Sequence, residues 1–214
     1  MEAKNKYIPA LKFHWLTPLY DPLLRVVMQE EGFKRQLIRQ AQIMPGQRVL
    51  DLGCGTATLT IMLKQARTEA DIVGLDGDPQ VLAIGREKIA KAGVEVRLDE
   101  GMAYSLPYPD QSFDRIVSSL VFHHLSAEDK QRTLKEIFRA LKPGGEVHIA
   151  DFGRPRNLWT RLVAPLMGRL EETGELVNGL LPAMMRQADF EQAEEIAHFN
   201  TVFGTISLYQ GRKK

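Results

Sequence analysis

Arg48-Val-Leu-Asp-Leu-Gly-Cys-Gly-Thr-Ala-Thr58 is the stretch whose reading decides the fold. Val49, Leu50 and Leu52 form a short apolar run ending on Gly53, and from Thr56 to Leu63 the apolar residues return at helical spacing. The stretch therefore reads as strand, tight turn, helix. Glycines at 53 and 55 permit a positive φ and carry no Cβ, which lets backbone approach a ligand closely. At the carboxyl edge of a parallel sheet, such a turn is a nucleotide-type site.

The neighbours of the glycines select the nucleotide. A dinucleotide fingerprint needs G-x-G-x-x-G, because its pyrophosphate rests on the helix N-terminus and a third glycine lets helix and strand pack closely. Thr58 stands in that third place. Asp51 precedes the first glycine by two residues, where it suits a ligand carrying a sulfonium and an ammonium better than a pyrophosphate. Asp76 follows a second apolar stretch, Ile72-Val-Gly-Leu75, and is placed to accept both hydroxyls of a ribose. Together these residues favour S-adenosylmethionine over NAD and disfavour a nicotinamide-dependent dehydrogenase.

Asp51-Leu-Gly-Cys-Gly55, Gly74-Leu-Asp-Gly77, Leu106-Pro-Tyr-Pro-Asp-Gln-Ser-Phe-Asp114, Phe122-His-His-Leu125 and Leu141-Lys-Pro-Gly-Gly145 occur in that order. As a series they resemble the motifs of class I S-adenosylmethionine-dependent methyltransferases, most closely the branch of ubiquinone and menaquinone biosynthesis methyltransferases. The likeness covers 45–152, together with Tyr20-Asp21, which looks like a Tyr-Asp pair near the start of that branch. It implies a Rossmann-like, doubly wound α/β fold: a mostly parallel sheet of seven strands with an antiparallel last strand. It also implies one domain, in which a helical lid at 1–44 covers a cofactor-binding core at 45–214. The cofactor contacts it implies are Tyr20, Asp51, Gly53, Gly55, Asp76, Gly77, Met102, Ala103 and Ser119. Met102 is a departure, since the family usually carries an acidic residue there to accept from the adenine amino group. A thioether can still pack against the adenine face, or Met102 is plain core.

Composition sets outer bounds. The 214 residues, 44% hydrophobic and 26% charged, suit one globular domain with a sizeable core. A net charge of +1 with dispersed basic residues gives no electrostatic reason to expect nucleic acid. Cys54, the single cysteine, excludes an intramolecular disulfide and suits a reducing compartment. With no signal peptide and no long apolar run, a cytoplasmic protein without stable membrane insertion is expected.

Outward from the glycine turn, strands alternate with helices, the pattern of a doubly wound parallel sheet. The spacing predicts strand two at Asp71 to Leu75 and a helix from Pro79 to Ala92, with Val81, Leu82, Ile84, Ile89 and Ala92 inward, stopped by Gly93. Strand three is read at Val94, Val96 and Leu98, strand four from Phe113 to Ser118 and strand five from Glu146 to Ala150. Two antiparallel strands end the sheet. Between them and strand five, residues 157–188 read as two proline-kinked apolar helices that roof an acceptor pocket, around Pro165 and Pro182. Trp159 and Leu162 keep the helical spacing, and Met167, Met184 and Met185 are either pocket lining or core. Trp15, in the leader, is either lid or core.

The catalytic candidates are His123 and His124, in the loop before a helix capped by Ser126 and Asp129. Adjacent loop residues tend to point apart, so one of them is expected to face the pocket. A histidine there is suited to take a proton from a phenol, enol or thiol as the methyl transfers. Alternatively both are structural, because in-line alignment alone supplies most of the help that methyl transfer needs. The function expected is methyl transfer to a small, largely apolar molecule. The alternative is a regulatory protein that keeps the cofactor pocket and has no reaction of its own.

Overall fold

The computed structural model describes residues 30–162 and 174–214. Tyr20, Trp15, Pro165 and Met167 lie outside them, and of the segment expected to form a lid, 1–44, residues 30–44 are described, beginning with helix α1 (Glu30–Gln40). Strand β1 (Arg48–Leu52) leads through the glycine turn to α2 (Thr58–Ala66), β2 (Asp71–Asp76) and α3 (Pro79–Ala92). Then come β3 (Arg97–Glu100), β4 (Phe113–Ser119), a 3-10 turn at Phe122–His124, α4 (Ala127–Ala140) and β5 (Leu141–Phe152). Short helices α5 (Gly174–Val177) and α6 (Leu181–Gln187) precede the hairpin of β6 (Glu191–Thr201) and β7 (Gly204–Arg212).

The seven strands form one sheet in the order β3-β2-β1-β4-β5-β7-β6. β1 pairs in parallel with β2 and β4, and the order reverses there, so a crevice opens at the carboxyl ends of β1 and β4. β7 runs antiparallel to both β5 and β6. The central strands are apolar on both faces because helices cover both, and Val49, Leu50, Ile116, Val117, Val147 and Ile149 are fully buried. α1 covers part of one face through Phe33 and Leu37. Among the described residues, no helix is long and apolar enough to cross a membrane.

Capping follows the sequence. Asp78 accepts from the amides of Gln80 and Val81 ahead of Pro79 in the first turn of α3, and Gly93 ends that helix at φ 64. Ser126 accepts from the Asp129 amide at the start of α4. Three details differ from expectation. Ile84 and Ala92 face solvent, while α3 buries Leu82, as expected, together with Gly85. β3 begins only at Arg97, the residue that pairs with Val73, because this edge strand has a single neighbour. Pro182 does not kink a helix; it opens α6, after Gly179 at φ 70 has ended the preceding turn.

Candidate active site

The site is built from the strand ends that meet at the crevice. Gly53 and Gly55 take φ 70 and φ 53. The amides of Gly53 and Cys54 both donate to the Leu75 carbonyl, at 2.8 and 2.9 Å. The Gly55 amide donates to Asp76 Oδ2 at 2.8 Å. The turn therefore points these three amides at the protein, not at a ligand, and offers no N–H nest for a pyrophosphate. The space left by the missing Cβ of Gly53 is filled by the protein as well, since a Cβ there would lie 2.3 Å from Val121 Cγ2. At Gly55 the nearest atom to such a Cβ is 4.0 Å away, and the backbone is open to approach.

Asp51 is buried and accepts from Thr60 Oγ1 at 2.6 Å. Burial pushes its carboxyl up to about 6, against the pull of the Thr60 hydroxyl and the Lys34 ammonium. Asp76 also accepts from the Asp78 amide at 3.0 Å, so it clamps both the glycine turn and the start of α3. Burial raises its carboxyl, and the backbone donors oppose the rise. Each of its oxygens keeps a lone pair for a further donor. Gly77 lies under Met102, whose sulfur would sit 2.8 Å from a Cβ at that glycine. Met102 thus lies across the ends of β2 and β3 with Ala103 next to it, both half-buried. At the end of β4, Ser119 Oγ is buried without a hydrogen-bond partner among the described residues.

Backbone strain also gathers here. Ala57, which precedes α2 without a side-chain cap, holds φ 60, and Leu120, just beyond β4, also holds φ 60. Such conformations persist where the surroundings over-determine them. Cys54 is 7% exposed behind this turn, and a Cβ on Gly74 would lie 3.0 Å from its sulfur. Burial and the Asp51 and Asp76 carboxylates push its thiol far up.

The histidines depart from expectation. Their rings do not point apart; their centroids are 3.9 Å apart and tilted by 44°. His123 Nδ1 lies 2.9 Å from Asp151 Oδ1, and an edge-to-face contact with Phe152 fixes its ring. Sequence reasoning does not single out Asp151, although it stands near the end of β5 as Asp51 and Asp76 stand on β1 and β2. Its carboxylate is fully buried and accepts from the amides of Val121, Phe122 and Phe152 at 2.8 to 2.9 Å. Burial alone would raise this carboxyl, but His123 and the amides hold it below the usual carboxylate range. An ionised carboxylate only accepts, so Nδ1 of His123 is the donor of this pair.

The 157–188 residues divide. Leu176, Leu181 and Met185 are core, with Met185 packed beneath Gly211, and Met184 is half-buried. Trp159 and Leu162 are exposed.

Two acidic strand ends, Asp51 and Asp76, beside the topological switch point of a doubly wound sheet define a Rossmann-like protein. The model of a methyltransferase domain matches residues 49–145. A demethylmenaquinone methyltransferase from Listeria monocytogenes is 30% identical over 227 residues, covering 94% of each chain. Its counterpart from Deinococcus radiodurans is 33% identical over 208 residues, 92% of this chain and 85% of that one. Among solved structures, the YcgJ protein from Bacillus subtilis superposes with a TM-score of 0.66 at 20% identity, over 85% of this chain and 97% of that one. The chain belongs to the class I S-adenosylmethionine-dependent methyltransferases, in the ubiquinone and menaquinone branch. It is an enzyme that uses S-adenosylmethionine. The described residues fit that cofactor by their chemistry: the buried Asp51 carboxyl suits a positive charge, and the Asp76 carboxylate keeps lone pairs for hydroxyl donors.

Proposed function

We propose that the acceptor is a small, largely apolar ring bearing an ionisable hydroxyl, such as the reduced form of the demethylmenaquinone in the relatives' names, and that methyl transfer is by in-line displacement. S-adenosylmethionine supplies an electrophilic methyl group. Asp76 holds the ribose, Asp51 balances the cationic end, and Met102 packs on the base. His123 would take the hydroxyl proton on Nε2 as a ring carbon bonds to the methyl and the methyl–sulfur bond breaks to leave S-adenosylhomocysteine; that carbon would then lose its own proton to solvent to restore the ring.

The observation that carries this reading is the His123–Asp151 pair beside the glycine turn. Asp151 sets the tautomer and stabilises the imidazolium that proton transfer creates. The test is homocysteine-product release and mass analysis with a reduced naphthoquinone. His123→Asn should lower kcat by roughly a hundredfold or more while leaving the affinity for S-adenosylhomocysteine unchanged. Asp151→Asn, which removes the charge that stabilises the imidazolium, should lower kcat at least tenfold. A His123→Asn enzyme that keeps its rate would remove the base.

A further inference from the structure

Where β5 leaves the sheet at the crevice edge, the chain exposes three large apolar side chains in succession. Leu158 is 78% exposed, Trp159 54% and Leu162 76%, in a helical stretch at 158–162 that places Leu158 and Leu162 one turn apart. The Trp159 indole N–H donates to the Val202 carbonyl at 2.9 Å, so the ring is fixed against the tip of the β6–β7 hairpin. Val202 itself is 49% exposed and extends the same apolar face. Single exposed apolar residues are ordinary, but a contiguous set with a tethered tryptophan is not.

The charge around this face has one sign along the strap. Gly153 to Leu162 carries Arg154, Arg156 and Arg161 and no acidic residue. Arg154 donates to the Asn178 carbonyl, and Arg156 pairs with Glu195 on β6 at 2.8 Å, which ties both to the frame. Arg161 is exposed on the helical stretch itself. Leucines one turn apart, a tryptophan held at their edge and arginines alongside are the composition of an interfacial segment. The leucines enter the acyl boundary, the indole lies at headgroup depth, and the guanidiniums meet lipid phosphates.

We propose that this face docks the protein on an anionic lipid bilayer, with Leu158, Trp159, Leu162 and Val202 in the interface and Arg154 and Arg161 against the headgroups. Docking stands on the face alone. Its use, delivery of an apolar acceptor from lipid into the crevice at the same edge, rests on the function proposed above. A second copy of the chain would cover the leucines equally well but would leave a one-signed arginine strap facing its own image.

The experiment is vesicle binding by the full chain, read without turnover so that a wrong acceptor cannot mask it. A Trp15→Phe background leaves Trp159 as the single tryptophan. With phosphatidylcholine vesicles containing phosphatidylglycerol, its emission should shift to the blue and be quenched by spin-labelled lipid. Pure phosphatidylcholine should bind about tenfold more weakly, and added salt should reverse the difference. Leu158→Ser with Leu162→Ser should abolish binding while the affinity for S-adenosylhomocysteine in solution is unchanged, which shows that the variant is folded. Absence of binding to anionic vesicles would overturn the proposal. So would binding that ignores lipid charge, or a solution dimer that the double leucine variant breaks.

Discussion

Asp51 sets stability against function. Its folded value of about 6 lies above the 3.8 of a free carboxyl, so its contribution to folding is fully present below about pH 4 and is lost as pH rises through about 6. At neutral pH the ionised group costs on the order of 3 kcal/mol in the cofactor-free protein. Asp51→Asn keeps an acceptor for Thr60 and should raise stability to urea by about 2 kcal/mol at neutral pH, while weakening S-adenosylmethionine binding at least tenfold. In the parent enzyme, calorimetry should show cofactor affinity falling as Asp51 is protonated between about pH 7 and pH 5. A variant no more stable than the parent would mean that Lys34 already compensates the charge. Ala57 makes the opposite case. Its φ of 60 costs an L-residue about 1 to 2 kcal/mol, so Ala57→Gly should stabilise by about 1 kcal/mol, read from the urea midpoint.

The glycine turn is an element whose shape comes from two distant parts of the chain. Leu75 on β2 collects two of its amides, and Val121 beyond β4 fills the space over Gly53. Gly53→Ala should cost roughly 2 to 4 kcal/mol, from the positive φ and the clash together. Adding Val121→Ala should return the clash and leave about 1 to 2 kcal/mol, a coupling that a double-mutant cycle reads directly. The turn itself is legible in the sequence because apolar run, glycines and helical spacing follow one another without a gap. Val121 is not, because nothing near Gly53 announces which residue closes over it. Asp151 was within reach, since an acid at the end of an apolar strand is the pattern that identifies Asp51 and Asp76. The pairing of the two histidines was not, because a 3-10 turn brings adjacent rings together where an extended loop separates them. Pro182 misled for a local reason: apolar spacing runs on through 176–185, while Gly179 breaks the backbone beneath it.

Across the whole molecule, the strand order follows from alternation and from the rule that crossovers return beside their starting strand. The inner position of β7 does not, because a hairpin reads the same whichever of its strands meets β5. That order predicts a gradient of opening. Amides of β1 and β4, which have partners on both sides, should exchange with solvent slowest, and those of the edge strands β3 and β6 soonest. Hydrogen exchange read by mass spectrometry tests this, and equal rates across the sheet would contradict it. Cys54 lets the crevice be timed in another way. Its thiol is shut behind the turn and held protonated, so a thiol-specific dye can label it only during the moments when the turn swings away from Leu75 and Asp76. The chain thus carries one internal stopwatch, and the slowing of its colour change by S-adenosylhomocysteine would count the openings that the cofactor suppresses.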